Sequence, residues 1–319
     1  MADPAFSLVD DSALVALYAE RLAASDAALA NTRPILRHLL GHDDHALLSD
    51  RIVAQVRAQL RDIAFQLLVA VESAAGTAEP RAVADERCDP LALTLAAQPL
   101  LLDHAHALAL EWTLAGQLQA RLGVDPVLSP LLQELIAARD PDTSATAMHV
   151  LAAQARFGQT QRRGELPLGE LAGDLLHAAL IVMRTWSGEA DPACDAYAAE
   201  AERAIRAEVD EAGTRLGLLQ RLVAGMGGGA LAALDLPHGG VALFATALAL
   251  GLGFERDRAV MALSEGQVPR LGLALLACGL RPPAIEAQLL ALHPDAAMPD
   301  DFAAVRPDRA AALLAEADR

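Results

Sequence analysis

The spacing of apolar residues is the feature that most constrains how this chain can fold. Over residues 52–71 they recur at steps of three and four, which places them on one face of an α-helix: Ile52, Val53, Val56, Leu60, Ile63, Ala64, Leu67 and Val71. Sustained alternation of apolar and polar residues, the pattern of a half-buried strand, occurs nowhere in the sequence. The sequence therefore predicts an all-α protein.

The amino-acid composition favours the same fold class. Of the 319 residues, 54% are hydrophobic but only 3% are aromatic, so the apolar content is mostly Ala, Leu and Val. Ala and Leu stand at the top of the helix-propensity scale, whereas strands prefer β-branched and aromatic residues. A chain of this length can bury a sizeable core without disulfides.

Glycine and proline divide the sequence into two parts with different helix lengths. We predict a bundle-like N-terminal part of long helices, followed by short helices arranged as an α-solenoid similar to HEAT repeats. The predicted segments are an N-terminal helical segment at 1–75, a linker at 76–90, a long-helix region at 91–223 and a short-helix region at 224–319 with a C-terminal capping helix. Within the first segment, Pro34 is expected to begin a separate short helix.

The charge balance excludes some classes of partner. The net charge is −17, from 42 acidic and 25 basic residues, and every basic residue is Arg. Nucleic acids and anionic membrane surfaces both bind basic patches, so neither is expected as a partner. The longest apolar stretch, Val241–Phe254, is about half the length of a membrane span and predicts a buried core helix.

The cysteines and the first residues predict a cytoplasmic location. Cys88, Cys194 and Cys278 are far apart and form no Cys-x-x-Cys pair, which is typical of a reducing compartment. The first eleven residues lack the basic and apolar regions of a signal peptide.

One histidine cluster suggests a metal site. His38, His42 and His45 lie close to two aspartates, and imidazole and carboxylate ligands suit Zn²⁺ or Ni²⁺. Gly41 indicates a helix end inside the cluster, which disturbs the i, i+4 geometry of the first two histidines. In the alternative interpretation, His38 complements the helix dipole and the aspartates cap the next helix. We expect no cofactor.

A second cluster contains His104 and His106, preceded by Asp103 and followed by Glu111 and Trp112. On a helix these histidines point about 200° apart, so they cannot bind one ion together. Either can act as a phosphoacceptor in a histidine-phosphotransfer module, which requires an exposed imidazole. The alternative is a histidine held between helices by Asp103 or another acid.

The most polar loop is the candidate interaction surface. Its residues are Arg162, Arg163, Glu165 and Glu170. The arginines can grip a carboxylate or phosphate. In the alternative interpretation, they pair with the two glutamates in a solvated loop.

Sequence signatures of catalysis are missing. The chain has no Gly-x-Ser-x-Gly, no His-Glu-x-x-His and no P-loop. We therefore expect a non-enzymatic, regulatory interaction or scaffold protein whose partner is another protein, with a homodimer as one possible assembly. The alternatives are a histidine-phosphotransfer component and a protein with a small apolar ligand pocket among its Gly-rich C-terminal helices.

Six strings carry a family resemblance. They are residues 106–112 (HALALEW), 122–130 (LGVDPVLSP), 151–157 (LAAQARF), 161–170 (QRRGELPLGE), 217–226 (GLLQRLVAGM) and 293–295 (HPD). Together they resemble the alphaproteobacterial family called domain of unknown function 2336, from about residue 30 to the C-terminus. The resemblance implies a bacterial helical protein and no particular activity, so it assigns no functional residues.

Overall fold

The computed structural model describes residues 11–41, 50–190, 194–296 and 300–317, which form α-helices and short 3-10 helices without any β-strand. The all-α prediction is confirmed. In chain order the α-helices are α1 Asp11–Gly41, α2 Asp50–Ala74, α3 Pro80–Ala96, α4 Pro99–Leu122, α5 Pro130–Ile136, α6 Pro141–Arg163, α7 Gly173–Ala190, α8 Cys194–Glu208, α9 Arg215–Gly225, α10 Leu236–Leu252, α11 Arg256–Met261, α12 Val268–Ala277, α13 Pro282–Leu292 and α14 Pro307–Ala317.

Helix α1 continues through Pro34, so the predicted break before this proline is wrong. A proline inside a helix removes one backbone hydrogen bond. Here the residues beyond the proline bury Leu36, Leu39 and Leu40. This burial stabilises the continued helix against the lost hydrogen bond.

The segment predicted as a linker at 76–90 is mostly helical, so that prediction is also wrong. Helix α3 begins at Pro80, a residue suited to the first helical turn because its missing N–H would be unpaired there. Ala84 and Cys88 are fully buried in the core that α3 shares with α2. Pro80 therefore marks a helix start and the charges mark a solvated face, whereas Pro90 lies inside the helix.

The buried apolar residues form two hydrophobic cores. The N-terminal core contains the end of α1, helices α2 and α3, the first half of α4, and α7 and α8. The C-terminal core contains the start of α1, the second half of α4, α5, α6 and α9 to α14. Because α4 contributes Leu102 to one core and Leu114 to the other, the predicted segment boundaries do not separate the cores.

The short-helix prediction for the C-terminal part is confirmed, since α10 to α14 are 6 to 17 residues long. A HEAT-like solenoid is not confirmed. In a solenoid each repeat contacts only its neighbours, whereas α1 here packs against both α12 and α14.

Helix α10 is the predicted core helix, with Phe244 and Leu248 buried. It bends at Gly240, where φ is 70° and a side chain would meet Ser129 at 3.2 Å. Among the described residues, no single helix has both the length and the apolar character needed to cross a membrane. One pair bent by 116°, Arg215–Gly225 with Gly227–Leu234, meets those criteria by length and composition alone.

Candidate functional site

An ion cluster is buried where the two cores meet. Glu111 of α4 is only 2% exposed and lies between Arg215 of α9 and Arg256 of α11. Arg256 donates two hydrogen bonds of 2.9 Å to the carboxylate, and the Nη2 of Arg215 donates another. Three separate helices therefore converge on one carboxylate. Its charge is paired, as burial of a charge requires.

The two arginines keep Glu111 ionised. Burial alone would raise the pKa of this carboxyl, but the charges of Arg215 and Arg256 and their hydrogen bonds lower it to about 2. Burial lowers the pKa of Arg215. The pKa of Arg256 is raised, because Glu111 outweighs the burial of that guanidinium.

Arg215 is held on several sides. Its Nε donates to Gln154, and its guanidinium carbon lies 3.7 Å from the ring centre of Phe157. Its backbone N–H donates to the carboxylate of Glu170 at 2.8 Å. Its Nη1, by contrast, is buried and has no hydrogen-bond partner among the described residues.

A second polar pair lies beside the ion cluster. The Nδ1 of His104 is 2.7 Å from the Oδ2 of Asp257, the residue after Arg256. Burial opposes ionisation of Asp257, yet the neighbouring His104 and Arg256 lower its pKa. His104 and Glu111 are seven residues apart on α4 and so lie on the same face of the helix.

The histidines predicted as phosphoacceptors do not have the exposed imidazole that this role requires. His104 is 1% exposed and His106 is 7% exposed. Burial lowers the pKa of His106 to about 4. His104 is instead held between helices, as in the alternative interpretation, although its acid is Asp257 while Asp103 pairs with Arg33.

Two cavities flank His104. The larger has a volume of about 600 Å³ and lies between α1, α4, α7, α9 and α11. The smaller has a volume of about 310 Å³ and lies between α4, α6, α9 and the loop that follows α6. His104 and Leu216 line both, and apolar atoms supply most of the accessible surface in each, although seven charged residues also line the larger cavity.

Polar side chains of α2 hold one wall of the smaller cavity. The amide of Gln59 donates to the side chain of Gln161 at 2.9 Å, and Asp62 accepts from the backbone N–H of Leu166 at 2.8 Å. Burial raises the pKa of this Asp62 carboxyl. Contacts between residues that are far apart in the sequence therefore fix this wall.

The four residues of the predicted interaction surface do not form one surface in the structure. Arg162 and Arg163 are exposed, the first with its guanidinium carbon 5.7 Å from the ring centre of Trp112 and the second 3.9 Å from Glu165. Glu170 is different, because it accepts from the backbone of Arg215 and lines the smaller cavity. Only this residue of the four belongs to the cavity.

The predicted metal cluster falls largely outside the described residues. The described residues do not include His42, His45 or the side chain of His38. Elsewhere in the described ranges, no group of three or more His, Cys, Asp or Glu side chains is arranged to hold a metal ion.

The pairing of Glu111 with Arg215 and Arg256 was not predicted from the sequence. The available signal was Glu111 itself, a single acid within the apolar run from Ala105 to Leu114. A charge on such a helix must have a buried partner. Spacing along the chain cannot identify that partner, because Arg215 is 104 residues away.

Three of the strings that carry the family resemblance meet at this site. They supply Glu111, Gln154, Phe157, Gln161 and Glu170. Comparisons with models of protein families, with curated proteins and with solved structures found no match. The resemblance therefore stays a prediction.

Proposed function

We propose that this chain is a non-catalytic protein that binds a small, largely apolar organic molecule where its two cores meet. The observation that carries the proposal is the pair of cavities bordered by His104 and Leu216, of about 600 and 310 Å³. Ligand sites in proteins have volumes of roughly 300–1,000 Å³ and combine apolar walls with a few polar groups. This site lies where the two cores meet, whereas the sequence places a ligand pocket among the Gly-rich C-terminal helices.

The polar groups at the site favour binding over catalysis. Glu111 is engaged by two arginines, and His104 is hydrogen-bonded to Asp257. Side chains paired in this way hold the walls of the cavities in place.

Filling the cavities tests the proposal. Leu216→Trp places a larger side chain at the border of both cavities, and the matched control Leu290→Trp makes the same change at a residue that is 45% exposed. Wild type and Leu290→Trp should bind the neutral fluorescent probe 1-aminoanthracene saturably, and Leu216→Trp should bind it about tenfold more weakly or not at all. Absence of saturable binding by wild type, or equal binding by all three proteins, would contradict the proposal.

Partner binding is a second candidate, favoured by the exposed Arg163 beside Arg162 at the end of α6. In this candidate the chain is a cytoplasmic scaffold, its short C-terminal helices stack as HEAT-like repeats, and the partner is another protein or a second copy. Light scattering after size-exclusion chromatography tests the homodimer. Arg163→Glu should shift a dimer toward monomer, and Arg306→Glu is the exposed control; a monomer in every case contradicts the homodimer.

A further inference from the structure

Two residues that line the smaller cavity each carry a buried hydrogen-bond donor with no acceptor in the described part of the chain. These are Nη1 of Arg215 and Nε2 of Gln161, on residues that are 3% and 1% exposed. Both residues line the cavity. Buried donors are nearly always paired, because leaving them unpaired is costly.

The orientation of Gln161 is set by its neighbours. Its side-chain oxygen accepts from Gln59 at 2.9 Å and from Gln55 at 3.2 Å. Gln55 must donate here, since the same nitrogen also lies 2.8 Å from the backbone oxygen of Gln161. Exchanging the oxygen and nitrogen of Gln161 would break the contact with Gln55, so the unpaired atom is a donor.

Arg215 likewise has one donor left. Its Nε is engaged by Gln154 and its Nη2 by Glu111. The stacked ring of Phe157 and the buried ion pair prevent the guanidinium from turning freely. Nη1 is thus a fixed, buried donor on a residue that lines the cavity.

The other residues that line the cavity determine which ligand charge and which hydrocarbon part fit it. Arg156 is exposed at this cavity and has no ion-pair partner within the described residues. Glu170 also lines it, and its carboxylate repels an anion more strongly the more negative charges that anion carries. Leu108, Leu166 and Leu216 supply apolar surface. A single negative charge on an apolar chain fits this lining.

We propose that the smaller cavity binds the carboxylate of a medium-chain apolar carboxylic acid, with Arg215 and Gln161 donating to its oxygens. This inference rests on the proposed ligand-binding function and specifies its chemical class. Hydrogen bonds from two fixed donors, one of them charged, distinguish a carboxylate from a neutral alcohol of the same chain length.

Calorimetric titration with octanoate and with 1-octanol tests the inference. Wild type should bind octanoate at least about tenfold more tightly than 1-octanol. Gln161→Glu retains the acceptor for Gln59 but replaces the donor with a second carboxylate oxygen. It should lose octanoate binding by about tenfold or more while 1-octanol binding changes less than about twofold. Gln159→Glu, the same change at an exposed residue of α6, is the matched control.

The outcomes separate this inference from the function on which it rests. Equal affinity for octanoate and 1-octanol would overturn the carboxylate site but retain ligand binding, and binding of neither would overturn both. If circular dichroism shows that Gln161→Glu does not fold, Arg156→Gln is the variant that tests the carboxylate site. It should weaken octanoate binding several-fold without changing 1-octanol binding, and an unchanged octanoate affinity would overturn the inference.

Discussion

Glu111 links three helices through a single carboxylate. Removing one member of a buried ion pair leaves an uncompensated charge in the interior, which costs about 3–5 kcal/mol. Replacing Glu111 should cost more than replacing either arginine, because Arg215 and Arg256 both pair with this acid. The acid is therefore the most sensitive position of the cluster.

Glu111→Gln should lower the free energy of unfolding by about 3–5 kcal/mol, measured by urea denaturation at pH 7. The control Asp308→Asn removes an exposed pair with Arg306, whose atoms are 3.0 Å apart, and should cost less than about 1 kcal/mol. The pKa of Glu111 is about 2, so its contribution is present above pH 4.5 and is lost as the pH falls toward 2. Equal effects of the two substitutions would show that the cluster does not stabilise the fold.

His106 should make stability depend on pH in a higher window. Its pKa is lowered from 6.5 to about 4 by burial. Between these pH values the unfolded chain binds a proton that the folded chain does not. The free energy of unfolding should therefore fall by about 3 kcal/mol as the pH decreases from 6.5 to 4.

Urea denaturation at several pH values measures this effect. His106→Leu should flatten the dependence between pH 6.5 and 4, whereas the exposed control His149→Gln should retain it. An identical slope in wild type and His106→Leu would mean that His106 does not titrate as inferred.

At the level of single residues, the sequence predicted which residues reach the site better than it predicted what they do there. The clusters around His104 and Glu170 do reach the site. Their roles differ from those predicted, because exposure depends on tertiary packing: His104 faces Asp257, which is 153 residues away. Arg215 had no local signal at all.

At the level of helices, the end of α6 depends on close contact with α2. Gly164 ends α6 with φ of 70°, and a side chain there would meet the Cβ of Ala58 at 2.5 Å. Gly123 ends α4 with φ of 72° and has open space around it. The two glycines share a left-handed backbone but differ in their surroundings.

Gly164→Ala should therefore be more destabilising than Gly123→Ala. Both substitutions place a Cβ in a left-handed conformation, at a cost of about 1–2 kcal/mol. Gly164→Ala adds overpacking against Ala58, which costs about 1–3 kcal/mol more. Thermal unfolding monitored by circular dichroism compares the two variants, and equal melting temperatures would argue against close packing of α6 on α2.

Helix type followed from the sequence, but several helix ends did not. The three- and four-residue spacing correctly predicted α2, whose stripe from Val53 to Val71 is buried. Pro34 and the segment 76–90 were misinterpreted because local breaker signals were outweighed by burial of Leu36 and Cys88. Tertiary packing, which local patterns do not contain, set those boundaries.

At the level of the whole molecule, two cores share α4 and enclose polar groups where they meet. Fold class was predictable because apolar periodicity is a local property. The site was not, because its walls come from α1, α4, α6, α7, α9 and α11. The proposed ligand chemistry depends on which buried donors are left unpaired once these helices are assembled.

The most direct test of ligand binding at this boundary is a crystal structure of the chain grown with 8-bromooctanoate, using anomalous diffraction from bromine. We expect a bromine peak in one of the two cavities bordered by His104 and Leu216, with the carboxylate at Arg215 and Gln161. No bromine peak in either cavity, or ordered ligand bound only on the outer surface, would contradict the account.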